Sequence, residues 1–98
     1  MINIEGLNKD FESRVRLGIL SILTVNEWVT FNDMKQYLDL TDGNLASHTL
    51  ALESKAYIEV KKTFVGKKPE TSYRISEYGR IQFAKHIDVL AKLISLNN

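Results

Sequence analysis

Ninety-eight residues, 44% of them hydrophobic and 26% charged, suffice for one domain with a single core and no covalent staples. The absence of cysteine excludes disulfides, thiolate metal sites and cysteine nucleophiles together, and two histidines are too few for an all-protein zinc site. Net charge is only +1, but residues 1–54 carry four basic and eight acidic side chains, residues 55–74 six and two, and residues 75–98 three and two. A basic segment on an acidic body is the asymmetry of a local polyanion footprint, and also of a solvated lysine-rich hairpin. The N-terminus has no basic region followed by an apolar run, and no stretch approaches membrane-spanning length. The expected location is therefore the cytoplasm.

In chain order, Asn8 or Asp10 is placed to cap a first helix over 8–24, with Phe11, Val15, Ile19, Ile22 and Leu23 as its inner stripe. Leu17 and Leu20 add apolar surface on a second side, for a broad core contact or a partner. Trp28-Val29-Thr30 reads as a very short extended segment. Asn32 is the expected cap of a helix from Asp33 to about Leu38, with Met34, Tyr37 and Leu38 facing inward, and Asp39-Leu40 is a tight turn.

Thr41 then caps a helix whose Leu45, Thr49, Leu52 and Ala56 recur on one inward face, with Asp42 beside the positive end of its dipole. The opposite face is Gly43, Ser47, Ala51 and Ser54, with Asn44 at its edge. It is small and polar where a solvated face normally carries long charged side chains. Such a face suits a DNA major groove, which admits a helix with short polar side chains, and equally suits close packing on another helix. Two short helices joined by a tight turn form a helix-turn-helix pattern.

Beyond this helix the period changes to two: Ile58 and Val60 alternate with Glu59 and Lys61, and Tyr73 and Ile75 with Ser72 and Arg74. Gly66-Lys67-Lys68-Pro69-Glu70 between them is a turn, so the segment is a lysine-tipped hairpin. Ser76 caps a last helix, 76–95, with a seam of Phe83, Ile87, Leu90 and Ile94 flanked by Ala84 and Ala91. Ile81, Leu93 and Leu96 lie off that seam. Together with Leu17 and Leu20 they exceed what one small core covers, and a homodimer through the helices 8–24 and 76–95 accounts for the surplus.

Helix, short strand, helix, helix, two-strand hairpin, helix is the order of a winged helix-turn-helix domain, a mainly helical α+β fold, here spanning 1–98. The runs Arg14-Val15-Arg16-Leu17-Gly18-Ile19-Leu20, Leu40-Thr41-Asp42-Gly43-Asn44-Leu45, Phe64-Val65-Gly66-Lys67-Lys68-Pro69, Thr71-Ser72-Tyr73-Arg74-Ile75 and Tyr78-Gly79-Arg80 come in that order. They resemble small winged-helix transcriptional regulators of bacteria and archaea related to the MarR and ArsR groups. The resemblance implies a dimer that binds double-stranded DNA at a palindromic site, with helix 42–55 in the major groove and wing 61–74 on the backbone or minor groove. By position it puts Thr41, Gly43, Asn44, Ser47, His48 and Lys55 of the helix, and Lys62, Lys67, Lys68, Thr71 and Arg74 of the wing, at or near DNA. Thr49 stands where these proteins usually carry leucine, and Ala56 where they carry glycine. The first implies looser packing, the second a strained backbone if the chain is left-handed there.

Three points stay open. His48 is a phosphate contact or a partly buried histidine bonded to backbone; Leu50 meets a thymine methyl or packs on the wing; His86 is a surface or interface residue. The sequence shows no constellation for catalysis and no motif for a cofactor, so neither is expected. A winged helix that docks a protein partner, and a regulator gated by a small ligand, are the competing functions.

Overall fold

The computed structural model describes residues 4–96. A 3-10 turn, Lys9–Phe11, leads into helix α1, Arg14–Val25; strand β1, Val29–Thr30, is followed by α2, Phe31–Leu38, and α3, Asp42–Ser54. Strands β2, Ile58–Val65, and β3, Lys68–Ile75, form the hairpin, and α4, Glu77–Leu96, ends the chain. The sheet is antiparallel in the order β1-β3-β2, with Val29 opposite Tyr73 and Thr30 opposite Ser72. This is the expected winged helix-turn-helix architecture. Phe11, Ile19, Leu20, Leu23, Met34, Leu45 and Leu52 are fully buried beneath it. Each such side chain contributes about 1.5–3 kcal/mol relative to exposure.

The first helix starts later than expected. The Asn8 side chain accepts from the Asp10 N–H and builds the 3-10 turn instead, and the helix restarts at Ser13, whose Oγ accepts from the Arg16 N–H at 3.3 Å. Leu20, expected as surplus, is core. In α2 the cap is Thr30 rather than Asn32, its hydroxyl accepting from the Asp33 N–H at 3.1 Å. The helix therefore includes Phe31, which with Met34 and Leu38 centres the inner stripe away from Tyr37 and leaves that ring exposed.

Both helices of the helix-turn-helix end in the same hydrogen-bonded motif, on left-handed residues that are not glycine. At Asp39 (φ 52) the Asp39 and Leu40 N–H groups return to the Gln36 and Lys35 carbonyls. At Ala56 (φ 66) the Ala56 and Tyr57 N–H groups return to Glu53 and Leu52. The helix stops there, so Ala56 is exposed rather than part of the inward face. Thr49 is 3% exposed, but its hydroxyl donates to the Leu45 and Ala46 carbonyls, so its burial leaves no unmet donor.

The hairpin strands run to the tip, joined only by Gly66-Lys67. Of these two, only Gly66 has positive φ (66°), the type II′ pattern that matches strand twist. Pro69 thus lies in β3, opposite Phe64; β1 reaches only Tyr73 and Ser72, so Pro69 has no second strand to satisfy. Ser76 caps α4 as expected, its Oγ accepting from the Gly79 N–H at 2.8 Å. Only the first half of the α4 seam is core. Phe83 is buried, but Ile87 and Ile94 are exposed, because a helix of 20 residues outruns the body it packs on. The Leu96 side chain lies outside the described residues.

Two substitutions test the backbone at the end of α3. A Cβ on Gly79 would sit 2.0 Å from the Tyr57 carbonyl oxygen, so Gly79→Ala should lower stability by about 3 kcal/mol. Ala56→Gly relieves the left-handed position and should raise it by about 0.5–1 kcal/mol. Urea denaturation of both variants reads the two signs.

Candidate nucleic-acid interface

The exposed face of α3 is built by its own cap. Thr41 Oγ1 accepts from the Asn44 N–H at 3.2 Å, and Leu45, Thr49 and Leu52 anchor the other side in the core. Gly43, Asn44 and Ser47 are left in solvent. A Cβ on Gly43 would meet nothing within 4 Å. The small face is therefore not the seat of another helix of this chain, and the fold itself does not require its smoothness. Lys35 and Asp42 pair at 2.8 Å across the turn between α2 and α3, an exposed pair that orients more than it stabilises.

His48 is half-buried, and its partner is a side chain rather than backbone: Arg16 Nε donates to Nδ1 at 3.1 Å. Arg16 also donates to the Asp10 carbonyl at 3.2 Å. The far end of α3 is tied down as well. Lys55 pairs with the Asp10 carboxylate, which also accepts from the Tyr57 hydroxyl at 2.6 Å. The Lys55 bond, then the Tyr57 bond, hold the Asp10 carboxyl below the usual carboxylate range. His86 is not a surface residue. It is 3% exposed, lies edge-on to Phe11, and its Nδ1 accepts from the Asn8 N–H at 3.0 Å.

Strand alternation sorts the basic segment onto two faces of the wing. Glu59 and Lys61 oppose Arg74 and Ser72 on the face that carries Trp28. There Arg74 pairs with Glu59 at 2.9 Å, and both Arg74 and Lys61 lie over the Trp28 ring, 4.8 and 4.1 Å from its centroid. The other face carries the pairs Val60–Tyr73, Lys62–Thr71 and Phe64–Pro69. Val60, Lys62, Thr71 and Tyr73 of this face, with Phe31, Ala46, Thr49, Leu50 and Glu53, line a cleft of about 430 Å³ between α3 and the wing. Leu50 is 67% exposed at its mouth, so it is not packed away against the wing. Burial raises the Tyr73 hydroxyl above its ordinary value, opposed by its polar contact with the Thr49 side chain and reinforced by the charge of Glu53.

Of the six cations in 55–74, Lys55 and Arg74 are committed to carboxylates and Lys61 rests on Trp28. Lys62, Lys67 and Lys68 have no carboxylate partner among the described residues. Sequence reasoning missed Arg16, Asp10 and Trp28, whose side-chain partners are 32 to 47 positions away and follow no periodicity. It also missed the exposure of Phe64, which the alternation from Ile58 onward would have placed on the cleft face. No group of acidic, histidine or cysteine side chains among the described residues is arranged to hold a metal ion, and no described helix is long and apolar enough to cross a membrane.

A recognition-type helix with an open small face, flanked by a basic two-strand wing, defines a winged helix-turn-helix domain. A family model described as a winged helix DNA-binding domain matches residues 15–94, and the chain belongs to that family. An uncharacterised protein of Methanocaldococcus jannaschii is 38% identical over 85 residues, 87% of this chain and 92% of that one. The structure of a transcriptional regulator homologue from Pyrococcus horikoshii is similar at a TM-score of 0.85 and 28% identity, covering 91% of this chain and 88% of its own. Overoxidised AbfR bound to DNA gives 0.70 at 17% identity, over 79% of this chain and 56% of that one, a likeness of fold alone.

Both histidines accept at Nδ1 and so must be neutral there. Burial, chiefly, pushes each below the ordinary 6.5; Arg16 adds to this at His48, and Glu12 opposes it at His86. The unfolded chain therefore takes up protons first. This part of the stability is complete above about pH 6.5 and is lost as pH falls from there through the lower folded values. Thermal unfolding between pH 7.5 and 5 should show the loss, and His86→Gln, which keeps an acceptor, should flatten it.

Proposed function

We propose that the protein is a dimeric transcriptional regulator that binds double-stranded DNA sequence-specifically, with α3 in the major groove and the wing along the backbone or minor groove. The observation that carries this reading is the open face of Gly43, Asn44 and Ser47 beside Lys62, Lys67 and Lys68, which have no carboxylate partner among the described residues. Short polar side chains suit base edges, and unpaired lysines suit phosphates. The DNA-bound state of AbfR, of like fold, supports the same partner. Thr41 and Thr71 border this surface, and His48 lies behind it, orienting α3 through Arg16. Lys55 and Arg74 belong to its frame, since each already holds a carboxylate.

The dimer surface is the apolar side of α1 and α4. Leu17 is half-buried against the core, so the surplus falls on Val25, Ile81, Ile87 and Ile94, exposed by 80%, 48%, 42% and 64%. A groove lined by Ser21, Thr24, Phe83, Ala84, Ile87 and Ala91 runs between the two helices. A two-fold axis there spaces the two α3 helices for a palindromic site with half-sites about 34 Å apart.

Selection from a random duplex pool, followed by footprinting, tests the whole reading; recovery of no preferred duplex would end it. On the selected site Asn44→Ala should cost about 1–3 kcal/mol and on random DNA little. Replacing Lys62, Lys67 and Lys68 by alanine should weaken both alike and flatten the log–log salt dependence by up to about three units per wing. Sedimentation at micromolar concentration should show a dimer, and Ile87→Glu should shift it to monomer.

A further inference from the structure

The wing tip has an apolar feature that a purely electrostatic wing does not need. Phe64 is 73% exposed, and its cross-strand neighbour Pro69 covers little of it. An exposed phenylalanine on an otherwise solvated hairpin is unfavourable unless something covers it. Its direction is fixed by the register. Phe64 stands on the face that looks toward α3, in line with Val60 and Lys62, while Lys61 and Lys68 stand on the opposite face.

Spacing along that face is informative. Same-face residues are about 7 Å apart on a strand, so Phe64 reaches about 7 Å beyond Lys62 and about 14 Å beyond Val60, which packs on the core. A helix in the major groove has, on the wing side, first a sugar–phosphate strand and then the minor groove, about 6 Å wide. With α3 seated, Lys62 and Thr71 fall at the phosphate strand and Phe64 falls beyond it. The surrounding charge matches: Lys62 shares the face of Phe64, Lys67 sits in the turn and Lys68 on the reverse face, none with a carboxylate partner among the described residues, and the nearest acid in the hairpin, Glu70, is on the opposite face beside Thr63.

We propose that Phe64 is an apolar wedge that enters the minor groove next to the major-groove site of α3, with Lys62 holding the intervening phosphate strand. This rests on the DNA-binding reading above. An apolar side chain in the minor groove packs on sugar edges and loosens a base step, so it contributes contact without releasing counterions. The role of Phe64 is therefore separable from that of the lysines.

The experiment uses the full chain and the duplex selected by the wild-type protein. Affinity is measured across a salt series for wild type, Phe64→Ser, Phe64→Leu and Lys62→Ala, with folding checked through the fluorescence of Trp28, the only tryptophan. Phe64→Ser should weaken binding about tenfold with an unchanged salt slope, and Phe64→Leu should recover most of the loss. Lys62→Ala should instead flatten the slope by about one unit per wing. Hydroxyl-radical cleavage, read at equal occupancy, should show minor-groove protection flanking the α3 site for wild type and Phe64→Leu, and lose it for Phe64→Ser. If Phe64→Ser matches wild type in affinity and footprint while Lys62→Ala still flattens the slope, the wedge is refuted and DNA binding stands. If no duplex is retained at any salt concentration, both fall.

Discussion

The environment of Tyr57 is the constraint on which the rest of the structure depends. Its N–H closes the end of α3 on the Leu52 carbonyl, and its own carbonyl accepts from the Ser76 N–H at 3.0 Å where α4 begins. Its ring lies edge-on to Phe11 at 4.8 Å and stacks on Tyr78 at 5.5 Å, while its hydroxyl donates to Asp10. One residue thus fixes the exit of the exposed helix, the root of the wing, the N-terminal turn and the approach of α4. Gly79 follows from this, since no Cβ fits against the Tyr57 carbonyl. The left-handed Ala56 does too, because the chain must reverse within one residue to bring Tyr57 inward. Burial and the Asp10 bond raise the Tyr57 hydroxyl above its ordinary value, so it stays a donor through the neutral range.

Around that fixed point the charges are sorted by what lies opposite them. Asp10, Glu59 and the Trp28 ring take up Lys55, Arg74 and Lys61, and these contacts brace the base of the wing and the end of α3. The remaining lysines project from the wing with no carboxylate among the described residues to neutralise them. In the proposed complex the phosphates do so. A modest net charge is no obstacle to this, because the field near a polyanion depends on the local cluster rather than the sum.

Rigidity and openness are likewise divided. Arg16 ties α3 to α1 through His48, and Asp10 ties its end through Lys55, so the helix is presented as a fixed rod. The tip of the wing and the side of α4 that bears Ile87 and Ile94 are exposed. These are the surfaces that the proposed DNA and second protomer cover. A pre-set helix lowers the ordering cost of docking, and an extended wing adds reach.

Much of this was legible along the chain. Local patterns determined the elements: the Thr41 and Ser76 caps, the switch from period 3.6 to period 2 after Tyr57, and the stripe of Leu45, Thr49 and Leu52 all follow from contacts between near neighbours in sequence. The smooth face of α3 was visible for the same reason. The tertiary structure alone decided which apolar residues are core and which are surplus, placing Leu20 inside and Ile87 and Ile94 outside, because burial depends on how far the body extends beside each helix. It also decided the fate of single charges and histidines. Lys55 and Arg74 read in sequence as DNA contacts, His48 as a phosphate contact or a histidine bonded to backbone, and His86 as a surface or interface residue, yet each is bound to a partner from another segment, and no periodicity records a pairing made only when the chain closes on itself.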